Sequence, residues 1–475
     1  MSDLSAPASA VRQWLEPRRW RALAVTLPIV IAIHLLAAAV TIRHSNQDSA
    51  ASDQGAEMWL AATAREDVFP QRTDGVRHPL WSWLARHVDS NDAAAFFAQG
   101  KWLNTALCVI FLCALGVAAA RWLDPLATAN LLLLCSLGIL LVRGTYFQPE
   151  PLYYILSFLA GVLAWRLLRA AAVWWHLAFG AVCGLAYLSK PSLLPFLLAL
   201  AAAFAFRFLL AAIRRDSGWP PGKNLLRLLA GLGLFVLLLI PLGRFSQEAF
   251  GKPFFNYTKF WMWMDDFQTE AWPWQTKYPG GAQLKALPKE ETPSLSWYFR
   301  RHSLADAVQR ATAGAAEVTV RFFWPEEKLS GAAFFWRSPA KKWSQPLAHR
   351  GVYLLALAAL CAGLFFRSGA AARARLTDSG NLAFAAFLLG AGALYIGLYG
   401  WYFPIGRGDR FMGSLWVPAV FLLVWWASTL RRMAGKAWTD TVYLAVHTAI
   451  LVSLLWQVGG MFWRFQHGVF LVTRN

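Results

Sequence analysis

Eleven apolar stretches of about 20 residues recur along this 475-residue chain, each long enough as a helix to cross the core of a bilayer. Because lipid cannot pair with backbone N–H and C=O groups, such stretches cross as helices. The composition agrees, since 57% of the residues are hydrophobic and 15% are charged. We predict an all-α polytopic membrane protein with spans at roughly 22–42, 102–120, 126–142, 150–166, 173–189, 192–212, 225–242, 350–366, 381–402, 411–430 and 440–460.

The basic residues predict the orientation of the chain. With a cytoplasmic N-terminus, most Lys and Arg near the span ends fall on the inner side, whereas the short outer loops hold only Arg143, Lys190, Arg407 and Arg410. This distribution predicts that the N-terminus is inside and the C-terminus outside. The net charge of +19 is then explained by an inner collar that meets anionic lipid, and not by nucleic-acid binding.

Two long outer loops, 43–101 and 243–349, divide the chain into three regions. Residues 1–242 form an N-terminal transmembrane module that includes the first loop, 243–349 form a Trp-rich loop subdomain, and 350–475 form the C-terminal transmembrane helices. In the first loop we expect surface helices over about 54–66 and from Pro79, since Pro favours a first helical turn. In the second loop we expect an irregular stretch at 272–293 and a helix over 294–320, capped near Ser294.

Asp53 stands directly before the first of these surface helices, on the predicted outer side. Asp is a preferred N-cap residue, so one interpretation is purely structural. The other is that a carboxylate facing away from the cytoplasm accepts a proton during a reaction. The two roles are compatible, because a cap that points outward at a helix start can also act as a base.

Charged residues also stand at the outer ends of several spans. Because an ionisable group inside a span costs roughly 2.5–3.5 kcal/mol at mid-membrane, these side chains require compensation. One interpretation is snorkelling or mutual ion pairing, most plainly between Arg143 and Glu150. The other is a cluster of cations that holds a phosphate at the membrane surface, with Lys190 and Arg410 as first candidates and Arg143 next.

An aromatic and acidic run covers residues 256–266 of the second loop. Ring faces stack on sugars and carboxylates bind hydroxyl groups, so Trp263, Asp265 and Asp266 are candidates for a sugar site. The alternative is that the tryptophans are interfacial anchors.

Together, the order and sidedness of these motifs resemble the GT-C superfamily of membrane glycosyltransferases, in particular the protein O-mannosyltransferases and the lipid A aminoarabinose transferase. The resemblance lies in Asp53 soon after the first span, in the segment 77–81 (Arg-His-Pro-Leu-Trp) entering the second surface helix, and in the segments 148–154 and 185–192. The segment 409–412 (Asp-Arg-Phe-Met) is similar to a late outer-loop motif. The resemblance to the superfamily covers residues 20–200 well and 381–415 weakly.

This resemblance implies an inverting enzyme that takes a sugar from a polyprenyl-phosphate carrier, with the active site on the periplasmic or external side of a bacterial inner membrane. Asp53 would be the base, and the cations named above would hold the donor phosphate. The other expected substrate-binding residues are Glu57, Arg77, His78, Glu150, Trp263, Asp265 and Asp266. The acceptor would be an extracytoplasmic lipid, polysaccharide or protein hydroxyl.

One position departs from the family pattern. Many relatives have a second acidic residue directly after the first, and this chain has Gln54 there, with Glu57 one helical turn further on. The expectation is therefore that no cofactor is required, and a divalent metal is the alternative if Glu57 replaces the second acid. Two other functions remain as alternatives: a glycan ligase or polymerase that uses a polyprenyl diphosphate, and a lipid or glycan transporter.

Overall fold

The computed structural model describes residues 6–50, 53–88, 92–169, 172–214, 219–325, 347, 349–406 and 412–470, and every regular element within them is helical. The α-helices in chain order are α1 Ala6–His44, α2 Gln54–Thr63, α3 Pro79–Ala85, α4 Ala93–Ala119, α5 Pro125–Cys135, α6 Leu141–Gly144, α7 Glu150–Arg169, α8 Val173–Ser189, α9 Leu194–Arg214, α10 Pro221–Phe250, α11 Thr258–Trp261, α12 Trp272–Lys277, α13 Gly281–Lys285, α14 Leu295–Phe299, α15 Leu304–Phe323, α16 Arg350–Leu376, α17 Ser379–Tyr402, α18 Trp416–Ala434 and α19 Ala437–Gln466. π-Helical segments occur at Ser136–Leu140 and Phe267–Ala271, and 3-10 segments at Pro191–Leu193, Lys289–Glu291 and Gly413–Leu415.

Ten helices in the described part of the chain are long and apolar enough to cross a membrane. They match ten of the eleven predicted spans, and the remaining prediction, 173–189, coincides with the 17-residue apolar helix α8. This shorter helix packs between α7 and α10. Gly180 of α8 meets Gly231 of α10 so closely that a Cβ on Gly180 would overlap the Gly231 carbonyl oxygen. The all-α polytopic fold is thus confirmed.

The two long loops lie at the same end of the helix bundle, which we call the loop end. At this end Lys101, near the start of α4, donates a hydrogen bond to the carbonyl of Asn46, just after α1. The second loop joins the first through the Tyr257 N–H, which donates to the Gly75 carbonyl at 2.7 Å. The described parts of the two loops are therefore in direct contact at this end of the bundle.

The centre of the bundle is α5, which contacts α1, α4, α18 and α19. It continues through the π-helical segment Ser136–Leu140 into α6. Within that segment the Gly138 carbonyl accepts a hydrogen bond from the buried Arg350 guanidinium at 2.9 Å, and Arg350 also donates to the Phe322 carbonyl at 2.7 Å. Arg350 consequently ties the end of α15 and the start of α16 to the central helix.

The second loop departs from its prediction in two places. The expected single helix over 294–320 is two helices, because Ser303 forms a capping box with Asp306 and opens α15 after α14 has ended. The expected irregular stretch at 272–293 contains α12, α13 and a 3-10 turn. Helix α15 crosses α17 where a Cβ on Gly314 would overlap the Gly400 carbonyl oxygen. This part of the second loop therefore packs tightly against the C-terminal transmembrane helices.

Candidate active site at the loop end

Asp53 occupies the N-cap position of α2, but its side chain makes no capping hydrogen bond. Its Oδ1 instead accepts a hydrogen bond from Arg77 Nη2 at 2.7 Å, and 39% of the side chain is exposed. The side chain of Asp53 therefore does not cap α2, and its role as a proton acceptor stays a prediction. A charge-assisted hydrogen bond of this kind fixes the direction of a carboxylate.

Arg77 lies between two carboxylates, those of Asp53 and Asp74, and forms an ion pair with each. Asp74 is fixed in turn, because its Oδ1 accepts hydrogen bonds from the backbone N–H groups of Val76 at 2.9 Å and Arg77 at 2.8 Å. The Arg77 side chain is only 19% exposed. The guanidinium therefore acts as a rigid counter-charge behind the Asp53 carboxylate.

Glu57 lies on α2 one turn after Asp53 and is buried, with 2% of its surface exposed. The Ser82 hydroxyl donates a hydrogen bond to Glu57 Oε2 at 2.7 Å. Burial raises the pKa of Glu57 to about 8, so this carboxyl is mainly protonated at neutral pH. Glu57 thus offers no second exposed carboxylate beside Asp53.

A divalent cation would need several oxygen or nitrogen donors that converge beside Asp53. Gln54 is fully buried and points inward, Glu57 is mainly protonated, and both Asp53 and Asp74 face Arg77. In the part of the chain that the structure describes, no group of three or more His, Cys, Asp and Glu side chains could hold a metal ion. Among the described residues, the donors around Asp53 therefore do not converge as such an ion requires.

His78 precedes Pro79, the first residue of α3, and its ring packs edge-on against Tyr187 of α8. Its Nδ1 lies 2.6 Å from the Tyr187 carbonyl oxygen, the geometry of an N–H donating to that oxygen. Burial lowers the pKa of His78 to about 4, so the ring is neutral at pH 7. Its evident effect is to join the start of α3 to the end of α8, three residues before Lys190.

Lys190 and Glu150 form a buried ion pair where α8 ends and α7 begins. The Lys190 Nζ lies 2.7 Å from Glu150 Oε1, and the two side chains are 15% and 2% exposed, respectively. This pair joins residues 40 positions apart in the chain, and the pairing of Arg143 with Glu150 that the sequence suggested stays a prediction. Arg143 is itself buried, at the end of α6. Arg410 lies outside the described residues.

Of the candidates in the second loop, Asp265 belongs to a separate ionic cluster. Asp265 faces His302 Nε2 at 2.8 Å and Arg310 Nη1 at 3.0 Å. Asp266 caps the segment Phe267–Ala271 through the N–H groups of its second and third residues. The Trp263 ring packs against Trp401 of α17, with centroids 5.8 Å apart. These contacts organise the loop, and a role in sugar binding stays a prediction.

Several residues of the site were not found from the sequence. Lys101 is 1% exposed, and its Nζ lies 2.8 Å from the Asn46 carbonyl and 3.9 Å from the centroid of the Phe97 ring. A lone Lys at the start of an apolar span could have suggested that Lys101 has a buried partner, but the same pattern is common in lysines that snorkel to the membrane surface. Asp74 and Ser82 carry no sequence signal, since their roles depend on contacts made only after folding.

Comparison with known proteins supports the fold. No family model matches the chain, and no curated protein matches its sequence. Among solved structures, the apo crystal structure of the oligosaccharyltransferase of Archaeoglobus fulgidus is similar, with a TM-score of 0.52 and 12% identity over 96% of this chain. The chain matches only 56% of that protein's length. At this identity the likeness concerns the fold, and it agrees with the GT-C architecture that the motifs implied.

Proposed function

We propose that this protein is an integral membrane glycosyltransferase that moves a sugar from a polyprenyl-phosphate carrier to the hydroxyl group of an extracytoplasmic acceptor, with inversion at the anomeric carbon. The fold, shared with an oligosaccharyltransferase, supports the general chemistry. The observation that carries the proposal is the exposed Asp53 carboxylate, held by Arg77 at the same end of the bundle as the Lys190–Glu150 pair.

The reaction begins when Asp53 accepts the proton of the acceptor hydroxyl as its oxygen attacks the anomeric carbon. The bond between that carbon and the phosphate oxygen breaks, and its electron pair stays on the phosphate. Because negative charge grows there in the transition state, a fixed cation lowers the barrier. Lys190 is suited to this role, and Arg143 and Arg410 are further candidates for the same phosphate.

The remaining residues of the site support this reaction indirectly. Arg77 fixes the direction of the Asp53 carboxylate, while neutral His78 holds α3 against α8. Since nucleotide sugars stay in the cytoplasm, a donor carried by a lipid suits a site that faces the periplasm or the exterior of a bacterial inner membrane. None of the proposed steps calls for a metal ion, and a divalent cation stays the alternative.

Replacement of Asp53 by Asn tests the base. With purified protein in lipid nanodiscs, a polyprenyl-phosphate sugar and an acceptor extract, we expect transfer to fall by about 10²–10⁴-fold, the usual contribution of a general base. Asp48→Asn is the matched control, because this carboxylate lies in the same loop and accepts a local hydrogen bond from Ala50 N–H. Normal turnover by the Asp53 variant would exclude Asp53 as the base.

A second candidate function is transfer of a preassembled glycan from a polyprenyl diphosphate. It is favoured by the name of the structural neighbour, an oligosaccharyltransferase. The two functions differ in the carrier, so the purified protein should be supplied separately with monophosphate-linked and diphosphate-linked sugars. Product formed only from the diphosphate carrier would favour the second function.

A further inference from the structure

We propose that Gln54 is a positioning residue that holds the Asp53 carboxylate in register with the loop leading to Glu150, the ion-pair partner of Lys190. The inference rests on the proposed function, because it assigns a task to the residue directly after the proposed base. Gln54 stands where the family pattern has an acidic side chain. In this chain it is fully buried and joins three segments of the loop end.

The first contact of Gln54 is a reciprocal pair of hydrogen bonds with Asn46. Gln54 Nε2 donates to Asn46 Oδ1 at 2.9 Å, and Asn46 Nδ2 donates to Gln54 Oε1 at 2.8 Å. Asn46 has a positive φ of 55°, a left-handed conformation that costs energy in residues other than Gly. The Lys101 ammonium also donates to the Asn46 carbonyl at 2.8 Å. The turn between α1 and α2 is thus fixed from both sides.

The second contact of Gln54 reaches across the site. Its Oε1 accepts a hydrogen bond from the Phe147 backbone N–H at 3.0 Å. The Phe147 ring is fully buried and packs against Trp81, Phe96 and Phe97, so its backbone is rigidly placed. Three residues later the chain reaches Glu150, the partner of Lys190.

One amide side chain therefore links the segment that bears the base to the segment that leads to Glu150, the ion-pair partner of Lys190. Transfer requires the attacking oxygen and the leaving phosphate to lie on opposite sides of one carbon. A displacement of about 1 Å in such a geometry can cost about 10²-fold in rate. An acidic side chain at position 54 would lose the donor that bonds Asn46, whereas the amide satisfies both neighbours.

The test compares Gln54→Met, which keeps the side-chain length but removes every hydrogen bond, with Gln54→Glu, which keeps an acceptor for Phe147 N–H. We expect kcat to fall at least 10-fold in the Met variant and less in the Glu variant, while the KM for the donor stays within about twofold of the wild type. Gln71→Ala is the control, since this amide lies in the same loop and donates a hydrogen bond to Asp67, away from Gln54 and Asn46. It should keep the wild-type kcat.

Asn46→Gly provides a second route if the Gln54 variants fold poorly. Gly adopts a positive φ without strain, so the turn is preserved while the amide pair is lost. A reduced kcat in this variant at an unchanged donor KM supports the positioning role. If the folded Gln54→Met and Asn46→Gly variants turn over normally while Asp53→Asn is inactive, the positioning role is wrong and the proposed function stands. If Asp53→Asn is also normal, both are wrong.

Discussion

Removal of the Lys190 ammonium should separate its structural role from its catalytic one. In Lys190→Met the buried Glu150 carboxylate, 2% exposed, loses the cation 2.7 Å away. Breaking a buried ion pair from one side typically costs about 3–5 kcal/mol, and because Lys190 itself is 15% exposed we expect the lower end, about 3 kcal/mol of unfolding free energy.

The double variant Glu150→Gln with Lys190→Met removes both charges and keeps both side-chain volumes. Neutral replacement of a whole buried pair is often nearly neutral, so the unfolding free energy should recover to within about 1 kcal/mol of the wild type. Transfer should not recover, since the leaving phosphate still lacks its cation, and we expect a loss of about 10²-fold in kcat.

The assay combines thermal unfolding in detergent with initial rates in nanodiscs for the two single variants and the double variant. A stable double variant with normal transfer would show that Lys190 only compensates Glu150. A Lys190→Met variant as stable as the wild type would refute the calculation, because it would mean that burial of Glu150 does not depend on this cation.

Three further predictions concern stability. Glu57 has a folded-state pKa of about 8 against an ordinary 4.5, so the stability of the protein should fall as the pH rises through this window. In denaturant titrations the unfolding free energy of Glu57→Gln should therefore increase relative to that of the wild type between pH 5 and 8. Parallel curves for the two proteins would contradict this. Burial lowers the pKa of His78 from 6.5 to about 4, so the stability of the protein should fall as the pH drops through that range. In thermal unfolding, His78→Ala should lose this pH dependence and should be less stable than the wild type at pH 7 by about 1–3 kcal/mol. Gly314→Ala should destabilise the protein by about 1–3 kcal/mol through overlap with Gly400, whereas Gly363→Ala, which meets open space, should be neutral or slightly stabilising; equal unfolding temperatures would refute the tight crossing.

The membrane helices could be predicted because their signal is local and long. Apolar runs such as 22–42 leave few alternatives in lipid, and the structure places helices at each of them. The start of α3 was also predictable, since Pro79 marks a first turn. The split of 294–320 was not, although Ser303 and Asp306 carry the pattern of a capping box in plain sight.

The candidate site was only partly readable. The importance of Asp53 followed from its place after the first span, but its partner Arg77 lies 24 residues away and was identified only as part of a motif. The Lys190–Glu150 pair spans 40 residues and depends on how α7 and α8 pack. In the sequence, Gln54 was visible only as the position where the family pattern has a second acidic residue. Its contacts with Asn46 and Phe147 exist only in the folded chain.

The π-helical segment Ser136–Leu140 decides which way Arg143 faces. A π turn inserts one additional residue into a helix, and each residue turns an α-helix by about 100°, so everything beyond the insertion is rotated by roughly that angle. Without the insertion the guanidinium of Arg143 would swing away from its buried position toward another flank of the helix. Deletion of one residue from this segment would thus redirect the positive charge of Arg143 without replacing any side chain of the candidate site.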